Sequence, residues 1–148
     1  MYITQHTDYA FRVLIYAASA QGELVNIGAI AQAFDISKSH LMKVVTALVK
    51  GGFLEGVRGK GGGLRLARAA QDIGMGEVMR YMEPLNLVEC MGEHNQCLVA
   101  SCCRLKGMLQ GANRAFLAHL DQFTLADVLQ PQMVNMLGVN VVKVMKPS

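Results

Sequence analysis

The feature that most restricts how this chain can fold is a pair of helical patterns separated by only three residues. The first runs from Ile27 to Phe34, with Asn26 as its N-cap and Ile30, Ala31 and Phe34 on one face. The second follows Asp35-Ile36-Ser37, is capped by Ser37, and repeats Leu41, Val44, Val45, Leu48 and Val49 at i, i+3, i+4, i+7 and i+8 until Gly51-Gly52 ends it. Two helices joined by so short a turn form the helix-turn-helix pattern.

The polar side of the second helix carries Lys38, Ser39, His40, Lys43 and Thr46. When such a helix enters a major groove, its first residues reach base edges while lysines further along hold phosphates. Ser37, Lys38, Ser39, His40 and Lys43 are therefore the candidate DNA contacts, against the plainer reading of a solvated helix face. The next stretch favours DNA. Phe53 to Arg58 and Leu64 to Ala67 read as two short strands around the basic, glycine-rich tip Gly59-Lys60-Gly61-Gly62-Gly63, which makes a winged helix. Arg58 and Lys60 on that wing suit a narrow minor groove, where the potential is most negative. A phosphate-cradling nucleotide loop is the rival for this tip, but no Ser or Thr follows Lys60 and no helix follows the glycines.

Charge agrees. Lys38, Lys43, Lys50, Arg58, Lys60, Arg65 and Arg68 are opposed by Glu55 alone, in a chain whose total is only +3, so the remainder is net acidic. One basic region on a slightly acidic protein is the footprint of a nucleic-acid surface.

Around this unit, residues 8–20 place Ala10, Val13, Leu14, Ala17 and Ala18 at helical spacing, with Thr7 or Asp8 as N-cap, and Gly76 to Tyr81 starts a short helix stopped by Glu83-Pro84. All four cysteines then fall in one loop, Cys90 to Cys103, reading CMGEHNQCLVASCC. Gathered thiolates in a polar loop make a plausible metal or iron-sulfur cradle; the plainer alternative is a few buried small hydrophobes. From about Cys103 to Phe123 runs the longest helical pattern, with Leu105, Met108, Leu109, Ala112, Phe116, Leu120 and Phe123 in one stripe and Gly107, Gly111 and Ala115 beside it. Each glycine costs a helix roughly 1 kcal/mol relative to alanine, and close approach of another helix offsets that. The pattern is read as a dimerisation helix. Thr124 caps a last short turn before Pro131, and residues 132–148 show no clean period and are assigned no function.

Apolar residues make up 52% of the chain and charged ones 17%. That excess of apolar surface calls for a partner subunit, because no run approaches the roughly 18 to 20 apolar residues of a membrane span. Val13 to Ala20 is too short and lacks the charged start of a signal peptide. The expected compartment is the cytoplasm, where a cysteine group means metal or redox chemistry before disulfides. With no CxxC pair, dinucleotide fingerprint or acid/base constellation, an enzyme is not expected. The expected fold is mostly α: a winged helix-turn-helix with a β-hairpin wing over 1–83, the cysteine loop over 84–103, the dimerisation helix and a short turn over 104–130, and a tail over 131–148.

Taken together, YITQHTDYAFRVLIY, ISKSHLMKVVTALVKGGFL, VRGKGGGLRLA, MEPLNLVEC and the CRL that opens the long helix resemble the nitric-oxide-sensing repressors among the dimeric winged-helix regulators that carry iron-sulfur clusters, over roughly residues 1 to 130. That resemblance implies a homodimer on double-stranded operator DNA, a cluster of the 4Fe-4S type with 2Fe-2S as the alternative, and nitric oxide as the signal that releases DNA. It carries the three cysteine ligands onto Cys90, Cys97 and Cys103 and the fourth ligand onto Asp8 of the other subunit, with His94 as competitor. Where the family has a Pro-Ala pair before the last cysteine, this chain has Ser101-Cys102, so Cys102 is an extra thiol beside Cys103. Two other readings stay open: an iron- or redox-responsive regulator of the same architecture, and a structural zinc site built from Cys90, Cys97, Cys103 and His94.

Overall fold

The computed structural model describes residues 2–139. Helix α1 (Gln5–Ser19) begins three residues earlier than the apolar spacing suggests. Thr4 is the cap rather than Thr7 or Asp8: its extended backbone lets its Oγ1 accept the Thr7 N–H at 3.3 Å, while the Asp8 N–H already bonds the Thr4 carbonyl at 3.0 Å. Asp8 therefore sits inside the helix with its carboxylate not used in capping. The fully buried Ala10, Val13 and Leu14 make α1 the central strut, packed on the third helix, the wing and the later helices.

The helix-turn-helix forms as the spacing predicts. In α2 (Ile27–Phe34) the Asn26 Oδ1 accepts the Gly28 N–H at 2.6 Å, and in α3 (Lys38–Lys50) the Ser37 Oγ accepts the His40 N–H at 3.3 Å. Asp35 turns the chain between them in the left-handed region at φ +52, a conformation that aspartate tolerates better than most residues. Leu41, Val44, Val45 and Leu48 are buried as expected, but Val49 is exposed. It lies on the flank of α3 that looks towards the wing instead of towards α1. Leu41 is fully buried, so Leu41→Ala is expected to lower folding stability by about 2–5 kcal/mol, read from the midpoint shift in chemical denaturation.

The wing is an antiparallel pair, β1 (Leu54–Val57) on β2 (Gly63–Leu66), with Leu54 opposite Leu66 and Val57 opposite Gly63. Val25 pins it to the body by exchanging two backbone hydrogen bonds of 2.8 Å with Leu64. The tip needs glycine. Gly59 and Gly61 have φ of +97 and +78, and a Cβ on Gly62 would stand 2.1 Å from the Val57 carbonyl oxygen.

A 3-10 turn (Ala70–Asp72) leads to α4 (Met75–Met82), which ends at Glu83 as the sequence predicts. Beyond the cysteine loop come α5 (Arg104–Leu120), α6 (Leu125–Val128) with a Thr124–Asp127 capping box, and α7 (Pro131–Met136). Helix α7 was not expected, because six residues are too few to display a period. Val134, Leu137 and the buried Val139 pack against the core there, so the start of the expected tail is folded onto the body; residues 140–148 lie outside the described residues.

The expected single stripe of α5 divides in two. Phe116 and the buried Asn113 share a cavity with Met79 of α4, on which α5 packs, and Leu109 and Leu120 are half-buried. Leu105 and Met108 are 57% and 67% exposed, and Ala112 and Ala115 are exposed with them. Gly107 has open space where a side chain would begin. Arg80 of α4 closes the far end with bonds of 2.6 and 2.7 Å to Asp121, which hold that carboxyl below its ordinary 3.8.

Candidate functional site

Two sites emerge, one cationic and one built from thiols. On α3 the residues opposite the core are Ser39, Lys43, Thr46 and Lys50, spaced 4, 3 and 4 apart and all exposed. Ser37 is consumed in capping, with its hydroxyl 3.3 Å from that of Ser39, and this fixes the first turn of the helix. His40 lies to one side, lining a cleft with Lys43 and with Gln5, His6 and Tyr9 of α1. Lys38 lies to the other, bordering with Arg58 an open groove between α3 and the wing whose floor includes Met42, Val49 and Val57. Lys60 is exposed at the wing tip.

The basic segment is less uniform than its composition suggests. Arg65 is paired with Glu55 across the wing, and Arg68 with Glu77 at 2.8 Å while also lying over the Phe53 ring. Lys38, Lys43, Lys50, Arg58 and Lys60 have no carboxylate within 4.0 Å among the described residues. The unpaired charge thus runs from α3 to the wing tip. Lys50, placed on the outward face of α3 by the same spacing as Lys43, belongs with it although the first-turn reasoning passed it over.

The thiol site is a cavity of about 270 Å³ at the start of α5. Cys90, Cys97 and Cys103 all line it, with Val88, Val99, Leu105 and Leu109 as apolar wall and Glu89 and Lys106 as the charged members. A 3-10 turn, Glu89–Met91, carries Cys90, and Cys103 is the N-cap residue of α5. No side chain caps that helix, so its free N–H groups and dipole favour negative charge beside Cys103. Cys102 does not line the cavity; its Sγ is exposed and bonds the Val99 carbonyl at 3.6 Å. His94 is exposed and also lies outside the lining.

Among the described residues no three His, Cys, Asp or Glu side chains are grouped as a single ion requires. The thiols instead stand around a void. A lone zinc draws its donors to within roughly 2.0–2.3 Å of one point, whereas each iron of a cluster takes its own thiolate, so the ligands are spread around the inorganic core. Three thiols, an apolar wall and a cavity of this kind fit an iron-sulfur cluster.

Asp8 is not at the thiol cavity of its own chain. Its carboxylate is bonded to Arg12, one turn on, at 2.9 Å, and both side chains are nearly half exposed. The Arg12 guanidinium in turn lies over the rings of Tyr9 and Phe34. The start of α1 is held by Glu83, whose Oε2 accepts from the Thr4 N–H at 3.0 Å and from the Thr4 hydroxyl at 2.8 Å. Sequence reasoning passed over Glu83 because the contact spans 79 positions.

A helix-turn-helix with a cationic hairpin beside it defines a winged-helix DNA-binding protein. Residues 3–131 match the Rrf2 family, described as "Iron-dependent Transcriptional regulator". The chain belongs to the Rrf2 family of transcriptional regulators. It is 48% identical over 135 residues to the "HTH-type transcriptional regulator NsrR" of Bacillus licheniformis, covering 89% of this chain and 94% of that one. The NsrR of Bacillus subtilis is 47% identical over 133 residues, 88% and 91% of the two chains. Among solved structures, IscR of T. potens superposes with a TM-score of 0.68 at 25% identity, covering 86% of this chain and 85% of that one. CymR of B. subtilis, described as a global cysteine regulator, shares the fold with a TM-score of 0.66 at 24% identity, covering 86% and 95%. A transcriptional regulator, not an enzyme, is what these relatives are. No described helix is long and apolar enough to cross a membrane.

Proposed function

We propose that this chain is a homodimeric repressor that senses nitric oxide through an iron-sulfur cluster held by Cys90, Cys97 and Cys103, with Asp8 of a second copy as the fourth ligand. The cluster type favoured is 4Fe-4S, since three thiolates and one further ligand suit four irons, with 2Fe-2S the alternative. The observation that carries the reading is the meeting of those three thiols around one apolar cavity while Cys102 stays outside it. Family membership and the likeness to NsrR support the regulator class, and the sequence resemblance to nitric-oxide-sensing repressors supports the signal. The exposed Leu105, Met108, Ala112 and Ala115 on α5 support the dimer, because a continuous apolar helix face is stabilised by burial against a second copy.

When bound, such a cluster supplies an iron whose carboxylate ligand is harder and weaker than thiolate, which makes that position the one open to a diatomic gas. The chain's own residues do the rest. Asp8, once released, has Arg12 at hydrogen-bond distance in its own helix, so the charge it uncovers is neutralised at once. Helix α1 carries Asp8 and also borders α3 through Gln5, His6 and Tyr9, which share a cleft with His40 and Lys43. Movement of α1 is therefore felt where Ser39, His40 and Lys43 would meet DNA. Two such helices must sit about one helical turn apart on successive major grooves, so a small tilt suffices to lose one half-site.

Anaerobic purification followed by metal and sulfide analysis tests this reading. Brown protein containing iron and acid-labile sulfide is expected. Colourless protein containing zinc and no sulfide would replace it with a structural metal site.

A further inference from the structure

We infer that Glu83 is the positioning residue that fixes the start of α1 and so how Asp8 is presented to the cluster of a second copy. The inference rests on the proposed role of Asp8. Glu83 is the first residue after α4 and opens the segment Glu83-Pro84-Leu85-Asn86-Leu87 that leads to Cys90. One oxygen, Oε2, accepts both donors of Thr4, its N–H at 3.0 Å and its hydroxyl at 2.8 Å. Thr4 is the residue that caps α1, and Asp8 lies one turn inside that helix.

The segment is also fastened on its other side. Asn113 of α5, only 9% exposed, donates its Nδ2–H to the Leu85 carbonyl at 2.6 Å. Three parts of one chain are thereby tied by short polar contacts: the helix that presents Asp8 to the second copy, the lead to the chain's own Cys90, and the helix that Cys103 opens. Pro84, Leu85 and Leu87 line a cavity with Ile3, Thr4, Met79 and Phe116, so apolar packing alone leaves space between α1 and α5 at this point. The Glu83 contact bridges one side of it, from the end of α4 to Thr4.

Loss of this tie is expected to loosen the first turn of α1 without disturbing the thiols. Because both Thr4 donors use a single oxygen, Glu83→Gln keeps an acceptor in place and should behave like the parent, whereas Glu83→Ala should not. Two readouts separate positioning from general destabilisation. In cluster-free protein, amide hydrogen exchange over residues 5–8 should be about fivefold faster in Glu83→Ala and unchanged in Glu83→Gln, with α3 and α5 unaffected. In anaerobic, cluster-loaded protein, Glu83→Ala should retain parental iron and sulfide yet lose colour to a chelator about fivefold faster, and adding Asp8→Ala should accelerate it no further than Asp8→Ala alone.

Parental exchange and parental bleaching in Glu83→Ala, or an effect that adds to that of Asp8→Ala, would overturn the inference. If Asp8→Ala itself bleaches at the parental rate, the assignment of Asp8 fails and this inference falls with it. If Asp8→Ala bleaches fast and Glu83→Ala does not, only the role of Glu83 is lost.

Discussion

Serine in place of Cys90, Cys97 or Cys103 is expected to strip the purified protein of its iron and colour, while Cys102→Ser keeps both at the parental level. A cavity that three thiols share cannot spare one of them, and a serine hydroxyl, ordinarily protonated at neutral pH, is a poor replacement for a thiolate. Cys102 stands next to Cys103 in the chain but turns its sulfur to the Val99 carbonyl. Iron and sulfide per chain, measured anaerobically, read the result. Equal loss in all four variants would mean that the cavity does not define the ligand set.

This is where structure adds most to sequence. Neighbouring cysteines at Cys102 and Cys103 cannot be told apart by spacing, and only the resemblance preferred Cys103. The structure separates them: Cys103, the extended N-cap residue of α5, lines the cavity, while Cys102 ends the preceding turn with its Sγ on the Val99 carbonyl. The helix-turn-helix was legible for the opposite reason: its caps, Asn26 and Ser37, and its i, i+3, i+4 pattern act within a few residues of one another. Helix α1 was legible in its apolar period but not in its start. Thr4 owes its place partly to Glu83, a contact that no local pattern announces. On α5 the apolar residues were visible, yet which of them turn inward and which outward emerges only on packing, where Asn113 is buried and reaches Leu85.

The second large effect concerns DNA. Lys43→Ala and Arg58→Ala are each expected to weaken operator binding about tenfold at low salt, to do so for every sequence alike, and to lower the salt slope by about 0.9. Among the described residues neither cation is paired with a carboxylate, so its charge is available to phosphate. The paired cations make the control. Replacing Glu55 and Arg65 together by glutamine removes a neutral ion pair and should leave the slope unchanged. Filter binding of each variant across a salt series gives the comparison, and a slope change from the glutamine pair equal to that of Lys43→Ala would show that net charge, not the unpaired set, governs contact with DNA.

In the proposed dimer the state of one inorganic centre governs the grip of two winged helices. Stepwise addition of nitric oxide to anaerobic, cluster-loaded dimer on a labelled operator fragment, with visible absorbance and the bound fraction taken from the same samples, tests this most directly. Colour and bound DNA are expected to fall together, with cluster-free protein leaving the fragment unbound. Full occupancy of the operator after the colour has gone would contradict it.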